Sequence, residues 1–383
     1  MKFTSRKKRF LFVLAFLVLL YGFWLGVQLL RFRPQGINVS LENGPPYEIR
    51  GVYHLHSKFS DGLGSADRIA RVASLQGLDF VILTDHGHPN LRCFQFQGWK
   101  NGLLFLAGSE LSVSRGHLVA LDFTLPRRPF SQNAEDAARE IRANGGFSVI
   151  AHPYSKVRWS WGKDVEYAGL EIIDTDSMFR KNLFSSLPYL PALLLKPRFY
   201  LLKTLERPVQ TLRKWDELNQ GHVLYGYFST DAHLLYRVLF SGLHLHVLLD
   251  QPLAAQFETA RSQVYSALQQ GRFFCAIHAA GAAEGFRFWA EADGQQFPMG
   301  SVIPMISGSF LKLHARTPFV PAVETRYIRN GKSIQSAADK KTSVAVDEPG
   351  TYRVEVYLRE WSPLGQDIPW IVSNPIFLRK DDK

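Results

Sequence analysis

An α/β fold followed by an all-β region is what this sequence predicts, and three observations carry the prediction. Short apolar runs alternate with amphipathic stretches from Gly51 onward. After about residue 285 helical periodicity fades and β-rich runs recur between turn signals. A stretch of 21 residues without a charge, Phe10–Leu30, precedes both regions. With 383 residues, 46% hydrophobic and 21% charged, the chain can bury one large core and a smaller one, and wholesale disorder is excluded.

Phe10–Leu30 comes first. At about 1.5 Å per residue it crosses a hydrocarbon core of ~30 Å as one helix. Lys2, Arg6, Lys7, Lys8 and Arg9 precede it, and only Arg31 and Arg33 follow closely. This asymmetry puts the N-terminus in the cytoplasm and residues 34–383 outside, in a single-pass cell-membrane protein with a periplasmic body. A cleaved leader is the competing reading, but Trp24, Gln28 and Arg31 stand where a small-residue cleavage site would lie. Residues 1–33 are therefore expected to be a basic tail and anchor. Residues 34–50, with Pro34, Gly36, Gly44, Pro45 and Pro46, are expected to be a linker.

Residues 51–284 carry the α/β pattern. Phe80–Leu83, Leu103–Leu106, His117–Leu121, Phe147–Ile150, Leu170–Ile173 and His222–Phe228 read as strands. Ser65–Gln76, Asn133–Asn144 (introduced by Ser131) and Ala254–Gln270 read as helices. Such alternation predicts a mainly parallel sheet covered by helices, open or closed into a barrel. Residues 178–215 interrupt it with eight cations against Glu206 and the apolar run Leu187–Leu195, which is too short to span a bilayer. An element on the membrane surface, a cover over the site mouth and a packed helical insertion all fit. In residues 285–383 the runs Ser309–Ala315, Glu324–Ile328, Thr342–Val346, Tyr352–Leu358 and Trp370–Phe377, with turns at Asn330-Gly331 and Pro349-Gly350, predict a β-sandwich. The net charge of +11 is concentrated in residues 1–33 and 178–215, which leaves the body near neutral and gives nucleic-acid binding no support. Cys93 and Cys275 match no CxxC pattern, so any metal here must use imidazole and carboxylate.

Six of the twelve histidines fall in five short segments, most at predicted strand ends: His54-Leu55-His56, Asp85-His86, Gly116-His117, His152-Pro153 and Asp231-Ala232-His233. Asp61 and Glu110 add carboxylates. On an extended segment residues i and i+2 project to one side, so both imidazoles of His54-x-His56 can reach one ion. His244-x-His246 has the same spacing, but it lies in a Leu-rich run without a nearby carboxylate, which favours a structural role.

In order, His54-x-His56, Ser60-Asp61-Gly62, Thr84-Asp85-His86, Glu110, His117, Ala151-His152-Pro153 and Asp231-Ala232-His233 resemble the motif set of the PHP (polymerase and histidinol phosphatase) metallohydrolases. The likeness spans residues 51 to about 280. It implies a distorted (β/α)7 barrel holding two or three divalent ions. Carried across, His54, His56, Glu110 and Asp231 would hold the first ion, Glu110, His117 and His152 the second, and Asp61, His86 and His233 the third. The Gly350–Tyr357 and Pro369–Ile376 segments are similar to tails of the CehA/McbA-type branch.

Such ligands suit Mn, Zn or Fe, and ligand type does not separate these ions. The reaction expected is hydrolysis of a phosphate mono- or diester by a hydroxide bridging the Glu110-linked ions, with Asp231 on the first ion. Lys58 and Arg115, close to ligands in sequence, are candidates to pair with the phosphate, and Asp85 is a candidate to orient an imidazole. The substrate expected is a phosphorylated small molecule or envelope-derived compound. Hydrolysis of carbamates or other non-phosphate esters is the first alternative, and an envelope-binding protein with a structural metal is the second. Oligomeric state is not legible.

Overall fold

The computed structural model describes residues 5–36, 45–162, 167–305, 310–318 and 322–380. Ser5–Arg31 is one helix, long and apolar enough to cross a membrane. Most of its apolar residues up to Leu20 are exposed, whereas Leu25, Leu29 and the following Phe32 are buried in the main core. The segment expected to be a linker turns into structure early. Gln35 bridges Gly281, and the first strand already begins at Tyr47.

Local chemistry explains the helices that cover the sheets. In Ala66–Leu75, Ala66, Ile69, Ala70 and Ala73 form one buried stripe, and the Ser65 hydroxyl accepts from the Arg68 N–H at its start. Ala134–Ala143 repeats the arrangement with Ala134, Ala137, Ala138 and Ile141, and its cap is Asn133 rather than Ser131. Ser131 instead accepts from the Asn133 N–H one step upstream.

The closed barrel is not formed. Two sheets replace it, and among the described residues their junctions carry only the isolated bridges Leu55–Ala232 and His86–Glu110. In the first sheet Tyr47–Tyr53, Phe80–Leu83 and Leu103–Ala107 run parallel, and Leu243–Leu249 and Phe273–Ile277 follow antiparallel. The second contains Ser109–Val113, Gly116–Leu121, Phe147–Ile150, Gly169–Asp174 and Tyr225–Ser229. Its first three strands are antiparallel; a tight turn joins Val113 to Gly116, and the helix Ala134–Ala143 connects Gly116–Leu121 to Phe147–Ile150. The result is a mixed α/β fold.

The C-terminal strands do not stand apart. Ile371–Ser373 pairs with Phe273–Ile277, so the first sheet runs on through Gly350–Leu358, Ile376–Lys380 and Val302–Met305 to twelve strands. A further four-stranded sheet carries Arg287–Ala292, Gln295–Pro298, Leu311–Arg316 and Lys341–Val346. Its buried Phe288, Ala290, Leu313 and Ala315 belong to the same apolar cluster as Tyr327 and Val354 of the large sheet.

A buried charge group fastens this region to the 178–215 segment, which folds as short helices. Arg353 bonds Asp216, on the helix Val209–Leu218, and donates from Nη2 to Glu355 Oε1 at 2.8 Å. Arg207 reaches the other Glu355 oxygen at 3.2 Å. Replacing Arg353 by Met would leave two buried carboxylates short of their shared cation. Unfolding stability should then fall by about 3–5 kcal/mol, read as a lower urea midpoint. An unchanged midpoint would show that the group is not what joins the two parts.

Candidate metal centre

The site is built where the two sheets meet. Gly108 joins the last parallel strand of the first sheet to the first strand of the second. A Cβ there would lie 2.5 Å from the Ala120 carbonyl oxygen, so only glycine lets the chain pass this close. Two residues later Glu110 stands between imidazoles drawn from both sheets. Its Oε2 lies 3.2 Å from His54 Nε2, 3.2 Å from His56 Nε2 and 3.3 Å from His86 Nδ1. Its Oε1 lies 2.7 Å from His117 Nδ1 and 2.9 Å from His152 Nε2. Asp231 Oδ1 closes the first group, 3.1 Å from His56 Nε2 and 3.5 Å from His54 Nε2.

Three groups of potential ligand atoms result, each within 4.8 Å of one another: His54, His56, Glu110 and Asp231; Glu110, His117 and His152; and His56, Asp61, His86 and His233. All nine residues singled out in the sequence thus lie together, and His56 reaches the third group as well as the first. The first group is buried. The third opens outward, with the Asp61 side chain 54% exposed, His86 32% and His233 19%.

The donor set fits divalent ions. Two ligands bound to one tetrahedral ion at ~2.1 Å stand about 3.4 Å apart, and the first group spans 3.1 to 3.5 Å. His54 Nε2, both His56 nitrogens, His86 Nδ1 and Asp231 Oδ1 are buried without a hydrogen-bond partner. Leaving so many buried polar atoms unpaired is costly unless a ligand takes them. His54, His152 and Asp231 also hold φ of 61°, 25° and 44°, the left-handed region that side chains avoid unless the surroundings enforce it.

Glu171 does much of the enforcing. One oxygen faces His54 Nδ1 at 2.6 Å and the other accepts the His152 N–H at 2.8 Å. Because a carboxylate only accepts, the neutral His54 ring carries its proton on Nδ1 and presents the Nε2 lone pair to the centre. His233 is set likewise by the Asp231 carbonyl, 2.8 Å from its Nδ1. Asp174 ends the same strand as Glu171 and is buried. Burial and the nearby Asp231 lift its carboxyl to about 7. Neither residue was singled out in the sequence, where Glu171 sits inside the apolar run Leu170–Ile173. A carboxylate within a strand buried on both faces was the available signal.

Electrostatics bind the cluster together. Burial pushes Glu110 up, but the imidazoles around it outweigh this and hold it well below the usual carboxylate range. Burial pushes His56 and His152 down, and the carboxylates win there too, raising them to about 9 and about 10.

Two expectations change. Asp85 orients no imidazole. It is buried and accepts from the Ser57 N–H and hydroxyl, both at 2.7 Å, and from the Ser60 hydroxyl, which shapes the turn between His56 and Asp61. Arg115 is held by Glu135 and donates to the Ser160 carbonyl at 2.9 Å, so it braces the loop after His152 instead of presenting a free cation to phosphate. Lys58 is exposed on the turn after His56. His244 and His246 gather with His278 in a buried trio. Arg50 stands 3.4 Å from His278, and burial, the neighbouring imidazoles and then the charges of Arg50 and Arg198 depress His244 and His278; contrary to expectation a carboxylate is at hand, Glu48 Oε1 lying 2.8 Å from His246 Nδ1. Cys93 and Cys275 are buried and unpaired.

No family model matches the chain. It is 26% identical over 124 residues to an uncharacterized protein of Methanocaldococcus jannaschii, covering 30% of this chain and 70% of that one. Among solved structures, it is similar to a two-domain protein from Bacteroides vulgatus containing a predicted PHP-like metal-dependent phosphoesterase, at 14% identity and a TM-score of 0.41 over 90% of this chain and 99% of that chain. It is also similar to an amidohydrolase from Chromobacterium violaceum with bound sulfate and no metal, at 16% identity and a TM-score of 0.30 over 48% and 87% of the two chains. The functional reading rests on the side chains above.

Two measurements follow from the geometry. Glu171→Gln keeps the shape but loses the charge that sets His54, and Zn or Mn affinity should drop about 10- to 100-fold. Unchanged affinity would place Glu171 outside the centre's support. Imidazoliums cannot bind a cation, so metal uptake near pH 7.5 should expel protons from His54, which its carboxylate neighbours hold up against burial, and from His56 and His152, on the order of two to three per chain. Affinity should rise with pH until about 9 to 10, where the His56 and His152 rings are already neutral. The same raised values stabilise the metal-stripped fold below about pH 6.5, and that contribution is lost as pH climbs through 9 to 10. Calorimetry in buffers of different ionisation enthalpy reads the protons; release of none would contradict the assignment.

Proposed function

We propose that this chain is a metal-dependent hydrolase of phosphate mono- or diesters, anchored in the cell membrane by its N-terminal helix with the metal centre outside the cytoplasm. The observation that carries the reading is the meeting of nine imidazole and carboxylate ligands in three groups joined through Glu110 and His56, with buried ligand atoms left unpaired. The order of the motifs, which resembles that of PHP metallohydrolases, supports it.

When bound, two or three divalent ions (Mn, Zn or Fe) would acidify a water and neutralise phosphate charge. The chain's part is placement. Glu110 would link the first and second ions, and Asp231 would complete the first. Asp61, His86 and His233 would hold the third at the solvent-facing rim. Substrate enters from that rim. The substrate is read as a phosphorylated small molecule or an envelope-derived phosphate ester.

Full-length protein in detergent, loaded with Mn or Zn, should hydrolyse p-nitrophenyl phosphate or bis-p-nitrophenyl phosphate. His54→Ala together with His56→Ala should lower that rate by more than about a hundredfold, beyond what loss of an outer partner costs. Chelation should abolish it reversibly. Activity on an aryl carbamate alone would overturn the phosphate assignment.

A further inference from the structure

The 178–215 segment carries an unusual surface. Phe184 is 83% exposed, Leu194 89% and Leu195 68%, and Leu187 and Leu190 are also exposed. An apolar patch of this kind on short helices marks a docking surface. What covers it is indicated by its neighbour. The Tyr21 hydroxyl donates to the Pro188 carbonyl at 2.7 Å, and the Trp24 and Tyr189 rings lie 5.5 Å apart. Lys196 Nζ then caps the end of the N-terminal helix, donating to the Leu29 carbonyl at 2.6 Å and the Phe32 carbonyl at 3.0 Å.

These contacts fix a depth. Tyr21 precedes Leu30 by nine residues, about 14 Å along a helix. If the membrane boundary lay at Tyr21, only Phe10–Leu20 would remain, ~16 Å against a hydrocarbon core of ~30 Å. A spanning helix therefore carries Pro188 and Tyr189 below the outer boundary. Charge changes where this geometry requires it. At the level of Phe32 and Pro34 a cleft of about 530 Å³ is lined by Lys196, Arg198 and Arg237, cations that complement anionic headgroups. The segment also departs from the metal centre itself: Asp174, at the end of the Gly169–Asp174 strand, caps the helix Thr175–Lys181 that begins it.

We propose that Leu183–Leu195 is embedded in the outer leaflet beside the anchor, with the flanking basic residues at the headgroups of anionic phospholipids, and that lipid-borne phosphate esters reach the metal centre along this edge. The inference rests on the spanning helix and the hydrolase activity proposed above, and the experiment separates them. Full-length protein carrying Phe16→Cys, Leu194→Cys or Ile334→Cys is labelled with an environment-sensitive fluorophore, Cys93 and Cys275 being buried. It is then reconstituted in phosphatidylglycerol–phosphatidylcholine vesicles. Labels at 16 and 194 should be quenched by lipids spin-labelled in the acyl chain and shielded from iodide, and the label at 334 should behave in reverse. Lipid quenching at 16 with iodide quenching at 194 would overturn the embedding while the anchor stands. Failure at 16 would overturn both.

For the substrate, Leu194→Glu with Leu195→Glu should slow phosphate release from vesicle-borne phosphatidic acid at least tenfold while changing p-nitrophenyl phosphate hydrolysis less than twofold. Equal effects on the two substrates would overturn the lipid assignment. So would a wild type active on p-nitrophenyl phosphate but not on phosphatidic acid.

Discussion

Glu110 is almost fully buried, and five imidazoles face its two oxygens. A lone carboxylate in that position would be prohibitively costly, so the surrounding groups must supply compensating positive charge, whether as imidazoliums or as bound cations. The strand ends of both sheets converge on this single side chain, with Ala107 paired in the first sheet and Ser109 in the second.

Holding that convergence takes deliberate strain. His54, His152 and Asp231 sit in backbone conformations a flexible loop would abandon, and each is tied to a rigid neighbour. Glu171 grips His54 by its ring and His152 by its backbone. Asp85 gathers the Ser57 and Ser60 hydroxyls so that the turn carrying Asp61 keeps its shape. The rim group lacks this degree of burial, which matches the division between a fixed interior and an accessible mouth.

The residues of the candidate centre were legible in the sequence because Asp61, His86, His117 and His152 each stand beside a Gly, Pro or Asp, and because the whole set falls in a recognisable order. Their supports were not. Glu171 hides in an apolar strand, and Arg115 finds Glu135 twenty residues away, a pairing that proximity to His117 in sequence obscures. The strands that were read fall mostly within a residue or two of their observed bounds, since burial leaves a trace in composition, but others, among them Tyr47–Tyr53, Ser109–Val113 and Phe273–Ile277, were not read. Which edges pair leaves none. The open barrel and the fusion of the C-terminal strands to the first sheet are properties of registers between segments far apart in the chain. His244-x-His246 shows the limit of spacing alone, for the guanidinium of Arg50 arrives from a different strand.

The N-terminal helix is built into the packing of the body. Leu25, Leu29 and Phe32 are part of the main core, and the carbonyls that end the helix are held by Lys196. Removing this helix would strip apolar surface from the main core and leave Lys196 without the carbonyls it caps, so the helix and the body behind it form one structural unit.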